Sequence, residues 1–78
     1  MRKGYEVIVP DRETGTVKWF DASRSYGYVT RDQGGVIYVS YNSFRDKDSC
    51  FLVIGSRVEF VVVSTDAGTS VQDLTVIE

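Results

Sequence analysis

The sequence predicts a small all-β barrel of five antiparallel strands, and three observations lead there. Valine, isoleucine and aromatic residues come in strand-length runs, Tyr26-Gly27-Tyr28-Val29 and Phe60-Val61-Val62-Val63 among them, and such residues suit a pleated, half-buried surface. Turn formers separate the runs at short intervals, with Asp32-Gln33-Gly34-Gly35 the plainest case. No ten-residue segment repeats its apolar positions at helical spacing. With 78 residues the chain suffices for one domain, and so small a sheet buries its core by curling on itself.

Each element follows from local chemistry. Tyr5-Glu6-Val7-Ile8-Val9 reads as a short strand stopped by Pro10, which cannot donate to a ladder. The first main strand is Gly15 to Phe20, closed by Asp21-Ala22-Ser23-Arg24-Ser25. Tyr26 to Arg31 is the second, and the Gly34-Gly35 turn carries it into a third, Val36 to Tyr41. Asn42 to Ser56 has neither strand nor helix period. It reads as a long loop with a short helical turn near Asn42-Ser43-Phe44, parts of which, around Phe51-Leu52-Val53-Ile54, pack down. Val58, Phe60 and Val62 alternate with Arg57, Glu59 and Val61 as a half-buried fourth strand. Ser64 to Ser70 is turn-rich, and Leu74 with Val76 marks the last strand. The inward positions are then Val17, Val29, Val39, Val58, Phe60, Val62, Leu74 and Val76, each burial worth about 1.5–3 kcal/mol.

Composition narrows the function. Hydrophobic residues at 42% and charged residues at 26% fit a globular domain without a membrane span, and no signal-peptide pattern opens the chain. A cytoplasmic location is the expectation. The chain has no histidine and one cysteine, Cys50. This removes histidine-based nucleophile arrangements and leaves no His/Cys set for zinc, so neither metal nor cofactor is expected. Asp11 with Glu13, or Asp46 with Asp48, reads as solvated loop charge rather than an acid/base pair. We expect no enzymatic activity. Net charge is −2, from nine basic and eleven acidic residues, which is not the balance of a protein that holds nucleic acid by bulk electrostatics. The charge is segregated, because every Lys and Arg lies at or before Arg57.

Four of the five tyrosines fall between Arg24 and Tyr41. By strand alternation Tyr26 and Tyr28 share the face that Val29 does not use, and Tyr38 shares one with Ser40 opposite Val39. Pairing the two strands lays three phenol rings side by side. Tyr41 falls out of that parity. Trp19 and Phe20 are adjacent, so only a bulge would change the rule that they point to opposite faces. A single strand tyrosine is most simply packing. A group of them on a face the core does not need, with Lys18, Arg24 and Arg31 interleaved, matches a platform for single-stranded nucleic acid.

The same residues carry a family resemblance. Gly15-Thr16-Val17-Lys18-Trp19-Phe20-Asp21-Ala22 resembles the opening motif G-x-V-K-W-F-N of the bacterial cold shock proteins and the eukaryotic cold shock domain. Ser25-Tyr26-Gly27-Tyr28-Val29, with Arg24 at the Lys position, is similar to their first ribonucleoprotein motif K-G-F-G-F-I. Ile37-Tyr38-Val39-Ser40-Tyr41 is similar to the second, V-F-V-H-F, and Gly55-Ser56-Arg57-Val58-Glu59-Phe60 to G-x-x-V-x-F. The resemblance runs from about Gly15 to Ile77. It implies a five-stranded antiparallel OB-type barrel over residues 15–78, with residues 1–14 as an N-terminal extension. It also implies binding of single-stranded RNA and DNA by stacking, and a role as RNA chaperone or regulator of expression.

The nucleic-acid-binding residues it points to are Lys18, Trp19, Phe20, Tyr26, Tyr28, Tyr38 and Tyr41, with Phe51 in the place of a loop aromatic. Ser40 stands where the family has histidine, and Lys18, Arg24 and Arg57 supply phosphate contacts. Ser25 in place of a glycine matters if the backbone there has positive φ, and Asp21 sets a negative charge near Trp19. Residues 67–73 match the usual G-P-Q-A-A-N poorly and receive no role. The expected partner is single-stranded RNA or DNA and the expected state a monomer, with Tyr5 to Val9 able to pair with a barrel edge or a second chain. A protein-interaction module on the same barrel is the alternative, suggested by the net negative charge, Asp21 and Ser40.

Overall fold

The computed structural model describes residues 12–78, and the expected N-terminal strand lies outside the described residues. Five strands form one antiparallel sheet that curls into a half-barrel: β1 (Arg12–Asp21), β2 (Tyr26–Arg31), β3 (Val36–Ser40), β4 (Arg57–Thr65) and β5 (Gly68–Val76). Their spatial order is β3-β2-β1-β4-β5. β1 is thus the central strand, shared by the β2–β3 hairpin on one side and the β4–β5 hairpin on the other. This is the OB-type architecture that the resemblance implies.

Alternation builds the core. Val17, Val29, Val39, Val58, Phe60 and Leu74 are each fully buried, as their parity requires. Val71, Phe44 and Leu52 join them, and Phe20, Ile37, Cys50 and Val62 pack around the rim. Phe44 and Leu52 come from the long loop, which closes one end of the barrel. A single 3-10 turn, Tyr41–Ser43, starts that loop, so Tyr41 ends outside β3 rather than extending it. In the turn Ser43 Oγ accepts a hydrogen bond from the Ser40 N–H at 3.0 Å.

Two expectations about β5 need correction. The turn before it is only Asp66-Ala67, because β4 runs to Thr65 and β5 resumes at Gly68. Val76, expected inside, is 49% exposed. It lies opposite buried Val58, but it ends β5 two residues beyond Leu74, where that strand's parallel bridge to Phe44 stops. There it lines an open cleft with Phe44, Phe51 and Leu74. Val71 enters the core because the β4–β5 register shifts between Glu59 and Val61, where Asp73 adopts φ 56°. That irregularity puts Val71 and Leu74, three residues apart, on the same face.

The β2–β3 hairpin closes as the turn chemistry requires. Gly34 and Gly35 have φ 117° and 88°, a region open to glycine at no steric cost. The Arg31 N–H donates to Gly35 O at 2.9 Å, and the Gly34 N–H to Arg31 O at 3.0 Å.

Candidate nucleic-acid interface

The geometry of the site begins with one extra residue in β1. Thr16 pairs with Thr30 and Val17 with Val29, but the next pair is Trp19 with Tyr28, which leaves Lys18 unmatched as a bulge. Val17 points into the core, and two residues later Trp19 would do the same in a regular strand. The bulge turns Trp19 to the outer face and brings Phe20, opposite Gly27, to the core side. Gly27 makes this close crossing possible. A Cβ there would overlap the Trp19 carbonyl oxygen and stand 2.8 Å from Phe20 Cα.

The outer face therefore carries a contiguous group of four rings. Trp19 lies 6.3 Å from Tyr28 with planes 29° apart, and 5.4 Å from Tyr26 edge-on. Tyr38 lies 5.9 Å from Tyr28 and 6.0 Å from Tyr26. The register explains the pattern, since Trp19, Tyr28 and Tyr38 form one cross-strand row and Asp21, Tyr26 and Ser40 the next. Trp19, Tyr28 and Tyr38 are 41%, 39% and 53% exposed, while Tyr26 is half-buried between its neighbours. Such edge-on and tilted contacts hold rings in place while leaving faces open.

The other expected site residues fall into two further places. Phe20 stands edge-on to buried Phe44 and to Phe51, each at 6.1 Å, so it joins the core to an exposed ring on the long loop. Tyr41 is exposed at the start of that loop, with Lys47 Nζ 5.8 Å from its ring centre. The structure thus brings Trp19, Tyr26, Tyr28 and Tyr38 together, with Ser40 beside them. It sets Phe20 with Phe51 and leaves Tyr41 next to Lys47.

Charge around this face is largely paired off. Arg57, on the adjoining row that holds Thr16, Thr30 and Val36, donates through Nη1 and Nη2 to both oxygens of Asp32 at 2.8 and 2.6 Å. It also reaches Thr16 Oγ1. The guanidinium, together with the Thr14 hydroxyl, holds the Asp32 carboxyl far below the usual carboxylate range. Arg31 is committed to Glu13 at 2.9 and 2.7 Å through two parallel bonds. Arg45 and Arg12 both clasp Asp73, holding its carboxyl down at about 2. Arg24 stands 3.7 Å from Asp21 with its side chain 74% exposed, a loose pair. Lys18, exposed on the bulge, has no ion-pair partner among the described residues.

Asp21 has a local task as well. Its Oδ1 accepts from the Ser23 N–H, the Ser23 hydroxyl and the Arg24 N–H, which caps the β1–β2 turn and lowers the Asp21 pKa. Ser25 completes that turn at φ 52°, the left-handed region that the resemblance flagged. Sequence reasoning missed the neutralising roles of Asp32, Glu13 and Asp73. Asp32 is 25 positions from Arg57, and only the pairing of β1 with both neighbours brings them together.

Comparison with known proteins agrees with this geometry. Residues 13–77 match the model of the 'Cold-shock' DNA-binding domain. The chain belongs to the cold shock domain family. It is 31% identical over 67 residues to the major cold shock protein CspA of Pseudomonas aeruginosa, covering 86% of this chain and 97% of that one. It is 33% identical over 64 residues to a cold shock-like protein of Thermotoga maritima, covering 82% and 97%. Among solved structures, apo-CusF of Escherichia coli superposes with a TM-score of 0.61 at 16% identity, covering 99% of this chain and 100% of that one. That likeness is one of fold. Cold shock domains bind nucleic acids and are not enzymes.

Proposed function

We propose that this domain binds single-stranded RNA or DNA by stacking bases on the surface formed by Trp19, Tyr26, Tyr28 and Tyr38. The observation that carries the reading is the contiguous group of open rings on the sheet face opposite the core. Each valine-lined strand already has a buried side, so these rings are not needed to close the core. Base stacking on such a ring is worth about 1–3 kcal/mol and tolerates any sequence, because every base has a π-face. Phe51, through Phe20, and Tyr41 extend the aromatic path toward the long loop. Lys18 and Arg24 meet phosphates at the edge of the platform.

A binder of this kind keeps strands unpaired by mass action, without ATP or a chemical step. This supports a role as an RNA chaperone or regulator of expression in the cytoplasm. Trp19 reports on the site directly. Titration with a single-stranded pyrimidine heptamer should quench its fluorescence saturably, while a duplex of the same composition should not. A flat trace with both ligands would sink the reading and turn attention to protein partners, the class that the pairing of most cations with carboxylates would then favour.

A further inference from the structure

Tyr41 is held differently from the other exposed rings. Trp19, Tyr26, Tyr28 and Tyr38 steady one another through their ring contacts, and Phe51 stands edge-on to Phe20. The Tyr41 side chain, exposed at the start of the long loop, makes no hydrogen bond and no ring contact with any described residue. Its one close companion is the Lys47 ammonium over the ring, 5.8 Å from the centre. That is inside the distance at which a cation is drawn to the negative face of an aromatic ring.

The loop fixes this ammonium in place. Lys47 Nζ donates to the Phe44 carbonyl oxygen at 2.7 Å and to that of Asn42 at 3.5 Å. Phe44 is itself anchored, with its ring buried in the core and its backbone bridged to Leu74 of β5. The turn that carries Lys47 is closed on Asp46, whose carbonyl accepts from the Ser49 N–H at 3.1 Å and whose Oδ1 accepts from the Asp48 N–H at 2.9 Å. Asp46 and Asp48 flank Lys47 in sequence, yet neither forms an ion pair with it. The charge is directed to two carbonyls and one ring.

A ring with a cation on one face offers a ligand only the other. Two aromatic systems laid face to face repel through their negative faces, and a cation behind one of them draws charge away from the side that meets a base. The tether also removes freedom that an exposed tyrosine would otherwise lose on binding. Resting on the stacking function proposed above, we propose that Lys47 is a positioning residue for stacking at Tyr41: its tethered ammonium covers one face of the ring and holds the other ready for a base, without itself meeting phosphate.

The test is a double-mutant cycle read with a pyrimidine heptamer by Trp19 fluorescence across a salt series. Lys47→Met keeps an unbranched stem and removes the ammonium. It should weaken binding about two- to fivefold and leave the slope of log affinity against log salt unchanged. In a Tyr41→Leu protein the same change should have no further effect, because the lysine acts through that ring. An equal loss with and without Tyr41 would overturn the inference, since the tether would then serve only the loop. A slope flattened by about 0.7 would overturn it too, because a phosphate contact would have been lost. So would an unchanged affinity in Lys47→Met, and each of these results leaves the stacking function standing. Failure of the unaltered protein to bind the heptamer would overturn the function and the inference together.

Discussion

Binding to this domain should depend weakly on salt, and the charge inventory sets how weakly. For single strands each phosphate neutralised contributes about −0.7 to the slope of log affinity against log salt. Beside the four-ring group Lys18 is the one cation with no carboxylate partner among the described residues, and Lys47, beside Tyr41, is tethered to the Phe44 carbonyl at 2.7 Å. Arg24 is the next most available, 3.7 Å from Asp21 and mostly exposed. The slope should therefore lie between about −0.7 and −1.4, so that raising salt from about 50 to 200 mM weakens binding only about three- to sevenfold. A protein making many phosphate contacts loses roughly a thousandfold or more over the same range. The assay is Trp19 fluorescence with a pyrimidine heptamer across a salt series. Lys18→Ala should flatten the slope by about 0.7, and Asp32→Asn, which releases Arg57 beside the platform, should steepen it by a similar amount. A slope steeper than about −3 in the unaltered protein would refute the reasoning, because it would require cations that the structure shows tied to carboxylates.

Three further outcomes follow from the same geometry. Ser25→Gly should stabilise the fold by about 1 kcal/mol: relief of the left-handed backbone at φ 52° is worth about 1–2 kcal/mol, and the extra freedom of glycine in the unfolded chain takes back about 0.4–1. In urea titrations an unchanged or lower midpoint would contradict it. Stability should be flat above about pH 5 and fall below about pH 4. The carboxyls of Asp32, Asp73 and Asp21 have folded pKa values below their unfolded ones, so the stabilisation they bring is complete above the unfolded value and lost as pH falls through the folded values. Asp73→Asn should blunt the fall toward about 2 in thermal melts made across that range. Gly27→Ala should destabilise by about 1–3 kcal/mol, since its Cβ meets backbone rather than a yielding side chain. It should also perturb Trp19 emission, and full stability with unaltered emission would mean that the crossing at the bulge is looser than described.

The barrel was legible where a strand has one buried face and one open face. Alternation then names the inward residues directly, and Val17, Val29, Val39, Val58 and Phe60 are buried as read. It failed in β5, where Asp73 breaks the period and an edge position leaves Val76 half outside. Periodicity carries no information about what lies beside the last strand of a sheet. Nor did it reveal Phe44 as core, because a loop residue is buried by where the chain returns to, not by its neighbours in sequence; the apolar run 51–54 did signal that part of the loop packs down, and Leu52 is the residue of that run that is buried. The ion pairs were opaque for the same reason, Arg12 reaching Asp73 across 61 positions.

The site shows the same boundary at one residue. From alternation alone Val17 and Trp19 belong on the same side, and the tryptophan would be assigned to the core or to nothing. The aromatic group exists because Lys18 is left unpaired, and the bulge does three things at once. It turns Trp19 outward beside Tyr28, sends Phe20 back toward Phe44 and Phe51, and lifts an unpaired lysine to the edge of the platform. In a regular strand that kept Lys18, every side chain after Val17 would change face. Deleting Lys18 removes the extra residue instead, so Val17, Trp19 and Phe20 would alternate regularly against Val29, Tyr28 and Gly27 and keep their faces. The deletion and Lys18→Ala should therefore weaken binding of a pyrimidine heptamer to the same extent, by the one phosphate contact that each removes. If the deletion abolished binding while Lys18→Ala did not, the bulge would serve the interface in more than setting which way Trp19 faces.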